Sequence, residues 1–94
     1  MAPIRWMKSA LEDLTDIVRY IRRDSPRYAI VFKNKVFELV RHLEDMPYLG
    51  RKVPEFNDVS TREIFYKEYR IIYRINADII EILTIFHGRR LLRL

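Results

Sequence analysis

The amino-acid sequence predicts an α+β fold in which a helical hairpin packs on one face of a mostly antiparallel sheet. Two amphipathic helical patterns fill the first half of the chain. Three runs rich in Tyr, Ile, Phe and Val, separated by short turns, fill the second half. A short strand pattern precedes the helices, so the predicted order is β-α-α-β-β-β, which is typical of an α+β sandwich. The 94 residues suit a single domain spanning positions 1–94.

The first strand and the first helix are predicted from local patterns near the N-terminus. Residues 3–8 alternate as a strand does, with Ile4 and Trp6 on the same side. The helix is predicted to begin at Ser9, whose hydroxyl can form a capping box with Glu12. Its apolar stripe recurs at helical spacing, at Leu11, Leu14, Ile17, Val18 and Ile21.

The second helix is predicted to follow after a very short connection. Ser25 is a suitable N-cap, and Pro26 suits the first helical position. The helix should end at Met46-Pro47, because proline disfavours the helical conformation in the residue before it. Two helices joined so closely should pack as an antiparallel hairpin. The second apolar stripe consists of Ala29, Phe32, Val36, Leu39, Val40 and Leu43.

The rest of the chain is predicted to be a loop followed by a β-meander. Residues 48–60 show no periodicity and contain Gly, Pro, Asn and Asp, which indicates a loop. Strands are predicted at 61–66, 69–75 and 79–87, with turns at Lys67-Glu68 and Ala77-Asp78. The register that these turns set pairs Phe65 with Arg70, Arg74 with Glu81, Ile72 with Leu83, and Arg70 with Ile85.

Alternation along these strands predicts two different sheet faces. The face under the helices should carry Arg62, Tyr66, Tyr73 and the isoleucines at 64, 71, 80 and 82. The opposite face should mix charged and apolar side chains, namely Glu63, Phe65, Arg70, Ile72, Arg74, Glu81, Leu83, Ile85 and His87. One interpretation is a surface that a partner covers; the alternative is an ordinary sheet face with ion pairs and a few exposed apolar side chains.

The composition excludes several kinds of site. The chain has no cysteine, so it has no disulfide or thiol chemistry, and its two histidines lack the spacing of a metal site. No phosphate-binding glycine loop or nucleophile elbow is present, and we expect no metal or other cofactor. No apolar run can span a bilayer and no signal peptide is evident, so a cytoplasmic protein without a membrane partner is expected. The net charge of +5 favours phosphate-bearing partners or acidic protein segments, although many small proteins are mildly basic.

The end of the last strand holds the residue types that an RNase uses. His87 can act as an acid or a base near neutral pH, and the arginines after Gly88 can bind a phosphate. Arg51, Lys52, Arg62 and Arg70 are candidates to complete such a site. A histidine beside arginines can equally be structural or simply bind phosphate.

Four segments resemble the RelE/ParE superfamily of toxins from type II toxin–antitoxin systems. They follow one another in the order found in that family and cover nearly the whole chain. The segments are residues 10–21 on the first helix, 43–55 at the end of the second helix and in the loop after it, 62–75 in the central hairpin and 82–90 at the last strand.

The resemblance implies a toxin that arrests growth until a cognate antitoxin binds it. Antitoxins of this family wrap a partly disordered segment around the toxin and fold as they bind. RelE-like members cleave mRNA on the ribosome, whereas ParE-like members poison DNA gyrase without being nucleases. The antitoxin-facing candidates are Phe65, Ile72, Leu83 and Ile85.

The candidate site residues resemble ParE-like toxins more than RelE-like toxins. The RelE-like catalytic candidates are Arg62, Arg70, Arg90 and His87. However, Ile64 stands where RelE proteins have a second lysine, and a tyrosine that follows their last arginine is missing. We therefore expect a gyrase inhibitor, with an mRNA endonuclease as the alternative. Candidates for binding phosphate or a partner are Arg51, Lys52, Arg74 and Arg89.

Overall fold

A computed structural model describes residues 1–88 of the chain, so Arg89 and Arg90 lie outside the described residues. The described part contains two helices, a short 3₁₀ helix and five strands. Their bounds are β1 Ile4–Trp6, α1 Lys8–Asp24, α2 Pro26–Arg41, the 3₁₀ helix His42–Glu44, β2 Arg51–Lys52, β3 Thr61–Tyr66, β4 Tyr69–Asn76 and β5 Ile79–His87. No helix within residues 1–88 is long and apolar enough to cross a membrane.

The five strands form one sheet in the order β1-β5-β4-β3-β2. Strand β1 runs parallel to β5, and every other neighbouring pair is antiparallel. The predicted α+β architecture is therefore confirmed, with one strand more than expected. Prediction of residues 48–60 as a loop was wrong at Arg51 and Lys52, which pair with Glu63 and Arg62 as β2. Two residues are too few to show alternation in a sequence.

The helical hairpin buries most of its apolar stripes against one face of the sheet, which we call the helix face; Leu11 remains exposed. Phe32 of α2 is fully buried and lies at ring-centroid distances of 5.5 Å from Tyr66 and 5.1 Å from Tyr69. Because β3 and β4 supply these two tyrosines, Phe32 joins the hairpin to the centre of the sheet. The buried core consists of Ala10, Leu14, Phe32, Val36, Val40, Leu43, Ile71, Tyr73, Ile80, Ile82 and Ile85.

The sequence predicts the cap at the start of α2 correctly, but not the cap at the start of α1. Ser25 caps α2 as predicted, since its Oγ accepts a hydrogen bond from the Tyr28 amide at 3.1 Å. The predicted capping box at the start of α1 is wrong. The helix begins one residue earlier with no side-chain cap, and the Ser9 hydroxyl donates to the Leu83 carbonyl at 2.6 Å. A tertiary contact to β5 thus replaces the local cap.

A β-bulge in β5 changes the predicted register halfway along the strand. Arg74 pairs with Glu81 as predicted, and Tyr73 pairs with Ile82, but Ile72 then pairs with Thr84. Leu83 is the extra residue, so every later position of β5 is displaced by one. The predicted pairs of Ile72 with Leu83 and of Arg70 with Ile85 are therefore wrong, and Arg70 pairs with Phe86 instead. Residues after the bulge also exchange faces relative to the prediction.

Tyr73 fixes the segment that leads into β2. Its buried hydroxyl donates to the Pro47 carbonyl at 2.7 Å and accepts from the Gly50 amide at 2.9 Å. Burial raises the pKa of Tyr73, so this hydroxyl remains protonated at neutral pH. A Cβ on Gly50 would lie 2.5 Å from the carbonyl oxygen of Glu63, so only glycine allows this approach. The arrangement holds Arg51 beside β3.

Candidate functional site

Arg70 lies at the centre of a buried ion-pair network on the sheet face opposite the helices, which we call the outer face. Its Nη1 and Nη2 atoms each donate to a carboxylate oxygen of Glu55 at 2.8 Å, and its Nε donates to Glu63 at 2.7 Å. The Arg70 side chain is only 6% exposed. Hydrogen bonds to Glu55, and the charge and hydrogen bonds of Glu63, raise the pKa of Arg70 well above its usual range. The guanidinium is therefore permanently charged and already bound by two carboxylates.

Arg51 and two phenylalanines complete the outer face. The Nε atom of Arg51 donates to the second carboxylate oxygen of Glu63 at 2.6 Å. The Arg51 guanidinium also lies 5.2 Å from the ring centre of Phe65, and that of Arg70 lies 5.1 Å from Phe86. Both distances fall in the range of cation–π contacts. On the outer face the arginines and glutamates therefore neutralise one another, and the two phenylalanine rings cover part of the arginines.

Arg62 points to the helix face and is held by backbone oxygens. Its Nε and Nη1 atoms donate to the carbonyls of Val59 and Gly50, both at 2.9 Å. Its guanidinium also lies 4.8 Å from the ring centre of Tyr48. These contacts tie the residue before β2 to the end of the loop that leads into β3. Lys52 pairs with Arg62 through the backbone, and its side chain is exposed at the sheet edge.

His87 lies in a groove between α1 and β5, on the sheet face opposite to that of Arg70. Because of the bulge, it pairs with Tyr69, whose ring it contacts edge-on at 5.7 Å. Its Nε2 atom is 3.0 Å from a carboxylate oxygen of Glu68. The groove measures about 730 Å³ and is lined by Asp13, Asp16, Ile17, Tyr20, Tyr69, Thr84, Ile85, Phe86 and His87.

The three described members of the predicted catalytic set do not converge. Arg70 is buried on the outer face, Arg62 is bound near the start of β3, and His87 lies in the groove beside α1. The fourth member, Arg90, lies outside the described residues. Arg74, a candidate for binding phosphate or a partner, forms an ion pair with Glu81 at 2.8 Å, and its side chain is partly exposed. Among residues 1–88, no group of three acidic or histidine side chains is placed to hold a metal ion.

The four candidates for facing the antitoxin fall into different environments. Phe65 is 45% exposed on the outer face, and Leu83 is half-buried at the bulge. Ile72 is fully buried, and Ile85 belongs to the core under the helices. The exposure expected for Ile72 and Ile85 is therefore wrong. For Ile85 the cause is the bulge, which turns its side chain to the helix face.

Sequence reasoning missed two features that the fold assembles. Glu55 lies in the loop after β2, where no periodicity links it to Arg70, and nothing in the sequence could have identified that pair. The other feature is a groove between α1 and α2, lined in part by Leu11, Thr15, Val18 and Arg22. Leu11 and Val18 belong to the predicted apolar stripe of α1, so the sequence indicated these residues but not the groove that they line.

Acid should weaken the fold partly through Glu81. Its hydrogen bond from Arg74 lowers the pKa of Glu81 below the usual 4.5, so ionised Glu81 stabilises the native state above that pH. This contribution is lost as the pH falls through the lowered pKa. We expect Glu81→Gln to reduce the free energy of unfolding at neutral pH and to flatten its decline between about pH 5 and pH 3. Urea unfolding across that range measures both effects. Glu12→Gln is the control, and identical pH profiles for the two variants would contradict the prediction.

The comparisons with known proteins agree with this architecture. Residues 4–92 match the family profile described as the ParE toxin of the type II toxin–antitoxin system parDE. The fold is similar to a chain of the chromosomal ParDE system from P. aeruginosa, with a TM-score of 0.75 and 22% identity over 93% of this chain and 96% of that one. It is also similar to a chain of the RelBE2 toxin–antitoxin complex from Mycobacterium tuberculosis, with a TM-score of 0.54 and 22% identity over 92% and 96%. No curated protein sequence matches the chain. A family match that spans nearly the whole length identifies this chain as a member of the ParE toxin family, the toxin component of a type II toxin–antitoxin system.

Proposed function

We propose that this toxin inhibits DNA gyrase through protein–protein contact and does not cleave RNA. The observation that carries the proposal is the state of Arg70, the arginine that a RelE-like nuclease would need for phosphate binding. Glu55 and Glu63 already occupy its three donor nitrogens, and its side chain is 6% exposed. A phosphate would have to displace both carboxylates to reach it. The family membership supports the same target, because ParE-like toxins act on gyrase.

The position of His87 also favours a non-nuclease. A general acid or base must lie within hydrogen-bonding reach of the group whose proton it transfers. His87 faces a groove that contains the carboxylates of Asp13 and Asp16, and these repel an RNA phosphate. Arg70 lies on the other face of the sheet. An RNA phosphate therefore cannot contact both residues at once in this arrangement.

A gyrase cleavage assay tests the proposal. Purified toxin is incubated with gyrase, ATP and supercoiled plasmid, and linear DNA is measured after the reaction is stopped. We expect linear DNA to accumulate with toxin and to disappear when antitoxin is added first. The His87→Ala variant should remain as active as the wild type, because the proposal gives this imidazole no chemical role.

A ribosome-dependent nuclease would give different results in these assays. If saturating toxin leaves gyrase unaffected, and mRNA is cut on ribosomes in a reaction that His87→Ala abolishes, the gyrase proposal is wrong. The alternative interpretation, a ribosome-dependent mRNA endonuclease, then replaces it. Antitoxin binding by His87→Ala, measured in parallel, shows that the variant is folded.

A further inference from the structure

The groove between α1 and β5, which we call the α1–β5 groove, lies where β5 extends beyond its neighbour β1. In the described part of the chain, β1 pairs with β5 only from Ile80 to Ile82, so α1 lies beside residues 84–87 instead. The groove measures about 730 Å³, which is a size at which proteins bind ligands. Ile17, Tyr20 and Tyr69 supply apolar surface to it, and the Tyr20 side chain is 63% exposed. The groove therefore leaves apolar surface open to water.

The charge of this groove is opposite in sign to that of the whole protein. Asp13 and Asp16 line it, and no lysine or arginine in the described part of the chain does so. One oxygen of Asp13 accepts from the Thr84 hydroxyl and the Ile85 amide, so the other oxygen retains acceptor capacity. Asp16 has only a loose ion pair with Arg19, at 3.9 Å, and both side chains are largely exposed. In a chain with a net charge of +5, these carboxylates favour a cationic occupant.

A segment with complementary chemistry follows the groove directly in the sequence. Residues 89–94 are three arginines and three leucines, in the order Arg-Arg-Leu-Leu-Arg-Leu. Arginine binds a carboxylate through two parallel hydrogen bonds, which suits Asp13 and Asp16. Leucine side chains gain free energy by leaving water, which suits the surface of Ile17 and Tyr20. The segment thus carries both kinds of side chain that the groove favours.

This segment is also attached beside the groove. His87 lines the groove, and only Gly88 separates it from residue 89. Six residues can extend for about 20 Å, whereas α1 rises by about 10 Å from Asp13 to Tyr20. A tether this short gives the segment an effective concentration in the millimolar range at the groove. Weak individual contacts are therefore sufficient for it to bind.

We propose that residues 89–94 bind in the α1–β5 groove of their own chain. Their arginines pair with Asp13 and Asp16, and their leucines cover the exposed surface of Ile17 and Tyr20. The groove is then occupied by the toxin itself and not by a partner. The proposal is independent of the gyrase target, because it concerns the toxin alone.

Paired cysteines test this binding in the full chain, which has no cysteine of its own. One variant combines Tyr20→Cys with Leu92→Cys, and the control combines Lys67→Cys with Leu92→Cys. Lys67 is exposed in the turn between β3 and β4, and the carbonyl of the next residue, Glu68, accepts from the Gly88 amide at 2.6 Å. An unbound segment can therefore reach both positions. In a glutathione buffer, the intramolecular disulfide should form at least about tenfold more readily with Tyr20→Cys than with Lys67→Cys.

Two carboxylates of α1 provide a matched electrostatic test. Asp16 lines the groove and Glu12 does not, although both are exposed. Added to the variant with cysteines at positions 20 and 92, Asp16→Asn should lower the effective concentration of the two thiols by about two- to fivefold. Glu12→Gln removes the same charge from the same helix and should leave that value unchanged. Salt at about 1 M should lower it as well, because the ion pairs are screened.

Several outcomes of these experiments would overturn the proposal. Equal disulfide formation at positions 20 and 67 would show that the segment does not bind in the groove, and so would equal effects of Asp16→Asn and Glu12→Gln. Disulfide-linked dimers in place of crosslinked monomers would show that the groove takes the segment of a second copy. Because Tyr20 and Lys67 are exposed, both cysteine variants should fold, which circular dichroism checks. No measurement involves gyrase, so a failure here leaves the proposed function standing, and a toxin without effect on gyrase leaves this proposal standing.

Discussion

Replacing Arg70 with methionine should lower the free energy of unfolding by about 3–5 kcal/mol. Methionine retains much of the side-chain volume over Phe86 but removes the positive charge. The fully buried carboxylate of Glu63 would then keep only Arg51 as a partner, and Glu55 would lose both of its hydrogen bonds from Arg70. Removing one partner from a buried ion-pair network costs several kcal/mol, which is a large share of the stability of a small domain. Urea unfolding followed by circular dichroism measures the effect.

Two further variants show whether the stability lost in Arg70→Met has an electrostatic cause. The double change of Arg70→Met with Glu63→Leu removes both charges, so it should recover a large part of the lost stability. Arg19→Met is the control, because its ion pair is exposed and long, and it should change stability by less than about 1 kcal/mol. A loss at Arg70 no larger than that at Arg19 would show that the network contributes little to the fold.

Replacing Phe32 with alanine should cost about 3–5 kcal/mol for a different reason. The ring is fully buried, and it contacts Tyr66 and Tyr69 at centroid distances of 5.5 and 5.1 Å. Removing it leaves a cavity where α2 meets β3 and β4, and the surrounding side chains can fill that cavity only in part. The same unfolding experiment measures the loss.

Phe65 provides the aromatic control for Phe32. Its side chain is 45% exposed and its described ring contact is with the guanidinium of Arg51. Phe65→Ala should therefore cost only about 1 kcal/mol or less. Equal losses for the two phenylalanines would mean that the interface between α2 and the sheet is not the main source of stability.

The features that the sequence predicted correctly depend on residues close together in the chain. The helix patterns, the Ser25 cap and the turn at Lys67-Glu68 each involve positions a few residues apart. The pair of Arg74 with Glu81 follows from the next turn, Ala77-Asp78, in the same way. Local rules of spacing and turn geometry are sufficient for such features, and they gave the correct fold class.

The features that the sequence did not predict depend on distant residues. The Ser9 hydroxyl bonds to a carbonyl 74 positions away, which no capping rule anticipates. The Asp13 carboxylate accepts from the Thr84 hydroxyl and from the Ile85 amide, next to the bulge. Residue types at the candidate site were recognised correctly, but their partners were not. Glu55 lies 15 positions before Arg70, across a loop and the strand β3, so no local pattern indicated that this candidate phosphate ligand is already bound by a carboxylate.

The extra residue at Leu83 decides which sheet face each later side chain of β5 occupies, because successive side chains alternate between the two faces. Deleting one residue there would restore uninterrupted alternation, moving Ile85 out of the core and His87 to the side of Arg70. No substitution at a later position of β5 has this effect, because a substitution changes a side chain without changing the face it occupies. Two chains of this fold that differ in length by one residue at this position therefore present different side chains to a partner, even where all their other residues are identical.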